Sequence, residues 1–440
     1  MLLNAHSWFS FKYGVLPPGQ VLHEAQALGI TDVALTDINC SAGHSEFFRQ
    51  AKDHGVRPIA GIDFRAGMRQ LYVGIARNNE GLHQLNDLLT DHLLDGETLP
   101  ERPPELPDAF ILYPYGAPNI PGRLRENEFI GVKPGDLNKL RFSRTSHPEE
   151  KLVALVAATF RNKTDHNVHR LLRAMANNTL HSKLTTQDIA PPDQRYQLLA
   201  EIEHAYADVP DLLHRAQALL EQCEVDFAFD RSKNRRTWSG DARSDRCLLQ
   251  ELAMAGLPRR YAHPTHKEVQ RPAHELRTIE GKDVVSYVLL NWDLVRFAKE
   301  QGFFHVGRGS GANSLVAYCL GITDVDPIEL DLYFERFINP ARDKPPDFDI
   351  DFSWKDRDHV TRRLFEKYGE ERRVALLATY STFQHRAIVH ELGKVFGLPP
   401  DEIAALADAD PSRARWIGKG DRVQMGSGVR RPPMADPIVR

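Results

Sequence analysis

Cysteine is scarce in this chain: four in 440 residues, at Cys40, Cys223, Cys247 and Cys319, with no paired spacing. That usage supports neither a disulfide framework nor a zinc knuckle. Long apolar runs are missing as well. No stretch of about 18 or more apolar residues occurs, and Asn4, His6 and Lys12 interrupt the start. The sequence therefore shows neither a signal peptide nor a membrane span, and a cytoplasmic protein is the expectation. Nor is there a charge excess of one sign: the formal net charge is −4. A nearly balanced chain carries no global nucleic-acid signature, so any attraction to DNA has to come from local basic surface. Internal repeats and low-complexity tracts are absent too. What remains is 42% hydrophobic residues, ample for a core, at a length that suggests about two to three domains.

The densest signal is Pro346-Asp347-Phe348-Asp349-Ile350-Asp351-Phe352. On a strand this period of two sends Asp347, Asp349 and Asp351 to one face and Phe348, Ile350 and Phe352 to the other. Same-face neighbours sit roughly 6.5 to 7 Å apart, so ionised carboxylates would repel unless something positive lies between them. Their oxygens are the hard ligands that Mg²⁺ and Mn²⁺ take. An isolated run of this kind reads more simply as an edge strand with a solvated acidic face. Its neighbours reverse that reading.

Upstream, a short apolar strand at 303–306 leads into Gly307-Arg308-Gly309-Ser310-Gly311-Ala312-Asn313-Ser314 and then the apolar run 315–320. Strand, glycine-rich turn and helix start make a phosphate cradle, because glycines let backbone N–H groups approach oxygen and a helix terminus adds positive potential. Arg308 supplies a full charge and Ser310 a hydroxyl. The pattern is neither the Walker loop nor the dinucleotide fingerprint, since Ser314 stands where a third glycine would be. A cradle of this type alone is as readily a structural turn. A cradle followed by a metal-binding carboxylate strand provides both parts that nucleotidyl transfer needs.

The run His305-Val306-Gly307-Arg308-Gly309-Ser310-Gly311-Ala312, then Ser314-Leu315-Val316-Ala317-Tyr318, Gly321-Ile322-Thr323-Asp324, Phe334-Glu335-Arg336-Phe337, Asn339-Pro340 and the aspartate strand resembles the palm of the family C bacterial replicative DNA polymerases, the alpha subunits of DNA polymerase III. The resemblance implies two-metal nucleotidyl transfer with two Mg²⁺ ions. Asp347 and Asp349 would be the catalytic pair, with Asp351 a supporting metal carboxylate; which two of the three bind metal stays open. It also implies a nucleotide site of Arg308, Gly309, Ser310, Gly311 and Arg336. For Arg336 an ordinary ion pair with Glu335 or Asp343 is the plainer alternative. Asn313 replaces the glycine expected there. The implied partners are primer-template DNA, dNTPs and replisome subunits such as the sliding clamp, with no membrane.

The opening, Leu3-Asn4-Ala5-His6-Ser7-Trp8-Phe9-Ser10 through Ala34-Leu35-Thr36-Asp37 to Pro58-Ile59-Ala60-Gly61, is similar to the polymerase-and-histidinol-phosphatase (PHP) domain that begins those subunits. PHP enzymes hold metals through a His-x-His, an Asp before a glycine, a Thr-Asp-His and later His, Glu and Asp positions. Here Asn4 pairs with His6, Tyr13 precedes the glycine, Ile38 follows Thr36-Asp37, Asp63 stands near a family acid, and Leu71 takes the place of a later histidine. The resemblance then implies a structural PHP-like barrel that has lost its metal site, with His6 a satisfied polar residue near the old mouth.

The fold class expected is α/β. Residues 1–215 alternate short apolar strands (32–35, 71–75, 109–112, 152–157) with helical stretches such as 20–28 and 45–54, a rhythm that the resemblance makes a distorted β/α barrel. A polar linker at 230–245, with Lys233, Arg235 and Arg236, leads into a palm of mixed sheet and helices at 216–374. Helices are expected at 283–299, under the cradle, and at 356–368. A helical thumb begins at 375–411, where Arg386 and Lys394 read as available to phosphates or, more commonly, as solvated helix charges. Residues 412–440 carry seven Lys or Arg against two Asp, are punctuated by glycine and proline, and read as a disordered basic tail. Family C enzymes continue into fingers, a clamp-binding segment and a third palm aspartate that nothing here supplies, so the chain resembles the front portion of a polymerase. The expected function is a DNA-directed DNA polymerase alpha subunit. The alternatives are a PHP-type metal-dependent phosphoesterase or exonuclease, or an inactive nucleotide- or DNA-binding fragment.

Overall fold

The computed structural model describes every residue except 143–146, 232–233, 340, 342–345, 370–373, 378 and 409–440. The basic tail, Lys233, Asp343 and Pro340 of the sequence reading lie outside the described residues. The chain forms two compact units, one of Met1–Asp230 with the described residues from Ser381 onward, the other Arg231–Tyr380.

The first unit holds β1 (Leu2–Ala5), β2 (Asp32–Leu35), β3 (Arg57–Ala66), β4 (Arg69–Ala76), β5 (Ala109–Pro114), β6 (Glu128–Val132), β7 (Leu152–Ala154) and β8 (Ala157–Ala158). They form one sheet in the order β7-β6-β5-β4-β3-β2-β1-β8. Pairing is parallel except where β4 runs antiparallel to β3 and β5. The edge strands β7 and β8 are separated in sequence by Leu155 and Val156 alone. Seven inter-strand steps across a flat sheet would span about 34 Å, whereas each linking residue reaches only about 3.5 Å. The sheet therefore curls until its edges come close. Val156 O accepts from the amides of Leu3 and Asn4, both at 3.2 Å, and Leu155 N donates to Val132 O at 2.9 Å. The single strand expected at 152–157 is thus two short strands on opposite edges.

Strands buried on both faces carry near-continuous apolar runs, and Leu35, Ile62, Val73 and Leu112 are fully buried. Helices Pro18–Ala27 and His44–Ala51 turn Val21, Leu22, Ala25 and Phe47 onto that core. Helix Asp211–Glu221 does the same: Ala216, Leu219 and Leu220 join the barrel core, so this unit runs past residue 215 to Asp230. The helix expected to begin near 375 begins at His385. Helices His385–Phe396 and Pro400–Asp408 cluster with the barrel unit, where the first packs on helix Lys163–Ala176.

In the second unit, helices Ala242–Arg260, His266–Gly281, Val285–Glu300 and Leu315–Leu320 enclose a core of Leu249, Ala253, Ile279, Val288, Leu289, Val316 and Ile322. Among the described residues its sheet is one antiparallel ribbon, β9 (His305–Arg308) with β10 (Asp349–Phe352). Helix Arg357–Tyr368 follows and ends before Gly369. No helix of the described residues is long and apolar enough to cross a membrane.

Candidate active site

The glycine-rich motif and the acidic run, distant in sequence, are partners in one ribbon, with Arg308 opposite Asp349 and Val306 opposite Asp351. The period-2 alternation operates as expected on β10. Phe348 and Ile350 pack against the core of the unit, Phe348 lying 5.7 Å from the ring of Tyr287 and 4.8 Å from that of Phe337. The carboxylates of Asp349 and Asp351 stay 44% and 55% exposed. That exposure leaves them available as ligands.

Asp347 is placed differently from the sequence reading, because β10 begins only at Asp349. Gly309 takes φ +73°, a left-handed conformation that glycine tolerates at no steric cost, and it turns the chain out of β9 before residue 347 could find a partner. Other bonds hold this segment. Ser310 Oγ donates to Asp347 Oδ1 at 3.1 Å, and Phe348 N donates to the Tyr287 hydroxyl at 2.9 Å. A Cβ on Gly309 would sit 2.5 Å from Asp349 Oδ2, and one on Gly311 2.4 Å from the Phe348 ring. A side chain at either position would have to displace Asp349 or Phe348, so this close approach favours glycine.

The charge between the carboxylates is Arg308. Its Nε donates to Asp351 Oδ2 at 2.5 Å and its Nη1 to Asp349 Oδ2 at 3.3 Å. Arg336 is exposed on the turn Phe334–Arg336, which packs against the turn Gly309–Asn313. Its neighbour Glu335 is engaged by His274 Nε2 at 3.4 Å.

Sequence reasoning missed the supports behind the turn. Thr323 Oγ1 donates to Gly307 O at 2.8 Å, and His305 Nε2 lies 3.2 Å from Gly321 O, which explains the Gly321-Ile322-Thr323 motif beneath β9. Glu275, fully buried on helix His266–Gly281, accepts from Leu315 N and Val316 N at 3.0 Å each and from Ser314 Oγ at 2.8 Å. The helix-start amides read as part of the phosphate cradle are therefore already answered by an internal carboxylate. A lone glutamate on an amphipathic helix carries no spacing signal that could have revealed this.

Among the described residues, no group of three or more His, Cys, Asp or Glu side chains is gathered closely enough to hold a metal ion. The donor chemistry of the ribbon nonetheless suits one. Asp347, Asp349 and Asp351 offer hard oxygen atoms of the kind Mg²⁺ takes, and a cation, the Arg308 guanidinium, already lies against two of them.

At the barrel mouth the geometry is closed. Asp63, fully buried, accepts on Oδ2 from His6 Nε2 at 3.0 Å and from Arg65 Nε and Nη2 at 2.9 and 2.7 Å, and on Oδ1 from Gln70 Nε2 at 3.0 Å. Burial alone would raise this carboxyl, yet the Arg65 guanidinium and His6 hold it well below the usual carboxylate range. Arg65 also lies 4.8 Å over the Tyr13 ring. Asp37 is taken by Ser7 N and Oγ, both at 2.7 Å, and by Ser10 Oγ at 2.6 Å, while Thr36 Oγ1 donates to Asn4 Oδ1 at 2.7 Å. Leu71 is buried in the core. Farther along, Arg386 pairs with Asp408 at 2.7 Å and Lys394 with Glu391 at 2.9 Å, the ordinary helix-surface meaning of such charges.

Comparison with known proteins gives two family matches, residues 3–117 to the PHP domain and residues 247–426 to the bacterial DNA polymerase III alpha NTPase domain. Among curated relatives, the chain is 30% identical to an error-prone DNA polymerase of Symbiobacterium thermophilum, over 96% of this chain and 43% of that protein. It is 29% identical to DNA polymerase III subunit alpha of Bacillus subtilis, over 93% of this chain and 40% of the relative. For the same subunit of Escherichia coli K12 the figures are 28%, 93% and 40%. The chain thus spans about two fifths of the length of these relatives.

Proposed function

Since the chain belongs to the family of bacterial DNA polymerase III alpha subunits, we propose that it carries the nucleotide-binding palm of a DNA-directed DNA polymerase behind a PHP-like barrel that serves as scaffold. The observation that carries this reading is the β9–β10 pairing, which sets Arg308 opposite Asp349, with Ser310 bonded to Asp347 just beyond the ribbon. Nucleotidyl transfer needs a triphosphate site and a metal site at bonding distance from each other, and one ribbon supplies both.

In this reading Asp347 and Asp349 hold Mg²⁺, with Asp351 in support. Metal held there would supply the lowered pKa of a primer 3′-hydroxyl and the charge balance of a leaving pyrophosphate. The chain's own part is to orient the substrate. Amides of the Gly309–Ala312 turn and the Ser310 hydroxyl receive the phosphates, and Arg308 and Arg336 balance their charge, Arg308 in bidentate fashion where geometry allows. Primer-template DNA and dNTPs are the substrates, and replisome proteins such as the sliding clamp are the partners. The saturated hydrogen bonds of Asp63 and Asp37 support a structural barrel over a PHP phosphoesterase.

The test is binding of a fluorescent dATP analogue to the 440-residue chain with and without Mg²⁺. Binding that requires Mg²⁺ and is lost in Asp347→Ala and Asp349→Ala, with a milder loss in Asp351→Ala, supports the proposal. Binding indifferent both to metal and to Asp349→Ala would remove it.

A further inference from the structure

The palm contains a chain of hydrogen bonds that begins at a buried carboxylate and ends at one of the three aspartates. Glu275 Oε1 accepts from Arg271 Nε at 2.9 Å, and Arg271 Nη2 donates onward to Asn313 O at 2.7 Å. Asn313 Nδ2 donates to Ser310 O at 2.9 Å, and Ser310 Oγ donates to Asp347 Oδ1 at 3.1 Å. Glu275 is fully buried and Asn313 nearly so. The same carboxylate takes the amides of Leu315 and Val316 and the Ser314 hydroxyl, so both ends of the glycine-rich turn are anchored: one at β9, the other on Glu275.

We propose that Glu275, acting through Arg271 and Asn313, is the positioning residue that presets the nucleotide turn and, with it, Asp347. This rests on the palm reading above. A buried carboxylate with every lone pair engaged is a rigid reference point, since breaking any of its bonds would leave charge unsatisfied in low dielectric. The turn is one short helical turn containing Gly309 and Gly311, and its partner Asp347 lies outside β10, so its placement depends on such anchors. Asn313 is the link that a glycine at that position would remove. Its side-chain amide ties the turn's last residue to the carbonyl of Ser310, a bond that a glycine cannot make. Preorganisation of this kind lowers the ordering cost on binding, so the effect falls on ligand affinity and local order more than on global stability.

The experiment compares the 440-residue chain with its Glu275→Gln and Asn313→Gly variants by hydrogen-exchange mass spectrometry and by Mg²⁺-dependent binding of the fluorescent dATP analogue. Asn313→Gly alters no buried charge, so it keeps the test decisive if Glu275→Gln compromises folding. The expected result is exchange quickened about ten-fold in 309–314 and in the segment carrying Asp347, barrel peptides unchanged, and a several-fold loss of dATP affinity in each folded variant. Unchanged exchange in 309–314, or a loosened turn without any change around Asp347, overturns the proposal. So does equal dATP affinity in all three proteins. If the unsubstituted chain binds no dATP, the palm reading falls, and the exchange data alone decide whether Glu275 orders the turn.

Discussion

Arg308 stands directly opposite Asp349 in the β9–β10 ribbon and reaches diagonally to Asp351, its guanidinium bonded to both carboxylates. It lies where the proposed divalent cation would also be attracted, so on that proposal arginine and metal would compete for the same oxygens. Arg308→Ala is expected to tighten Mn²⁺ binding several-fold by calorimetry while weakening dATP-analogue binding. Because these side chains are largely exposed, global stability should hardly change. Weaker Mn²⁺ binding in the variant would show that Arg308 supports the metal site instead of competing for it.

Gly311 faces the Phe348 ring, which is itself held between Tyr287 and Phe337. Adding one methyl there overpacks a site whose neighbours have little room to yield, at a cost of about 1–3 kcal/mol. Urea unfolding of Gly311→Ala should show that loss in the transition of the second unit, accompanied by reduced dATP binding. Wild-type stability would mean that the ring moves aside without penalty.

Asp63 and Arg65 form a buried pair with side chains 0% and 5% exposed. Removing one partner strands a charge in low dielectric, and Arg65→Leu should therefore lower stability by about 3–5 kcal/mol. The double variant Asp63→Asn with Arg65→Leu should recover part of that loss in thermal melts, and a double variant no better than the single would contradict the pairing argument. With this pair intact, Mn²⁺-dependent release of phosphate from p-nitrophenyl phosphate is expected to be absent. Activity abolished by His6→Ala would reverse the scaffold reading.

His169 is fully buried and poised as a neutral ring: Nδ1 donates to Tyr13 O at 2.7 Å, and Nε2 accepts from Ala190 N at 2.8 Å. Burial pushes its pKa down to about 4 despite the bond to Tyr13, from an ordinary value of 6.5. Between those values the unfolded chain binds the extra proton and the folded one does not, so stability falls as pH drops from 6.5 toward 4. The full linkage is on the order of 3 kcal/mol. Melting temperature against pH should slope less steeply across that window in His169→Asn, and equal slopes would show that His169 does not carry the effect.

The sequence by itself determined the parts that are local. Alternation at period two decides which side of β10 is acidic, because successive side chains on a strand point to opposite faces, and Phe348 and Ile350 pack inward as that rule requires. Glycine at 309 signals a tight turn through backbone freedom. The helical spacing of Val288, Trp292 and Val295 places helix Val285–Glu300 within a residue or two. Tertiary structure decided everything that joins residues far apart in the chain. The curl of the sheet follows from β7 and β8, adjacent in sequence, taking its opposite edges. The register that sets Arg308 against Asp349, the Arg65–Asp63 pair at the barrel mouth and the line from Glu275 to Asp347 each depend on partners that no local period can specify. Asp347 is the clearest case: the alternation put it on the strand, but a strand residue also needs a neighbour to pair with, and Gly309 turns that neighbour away.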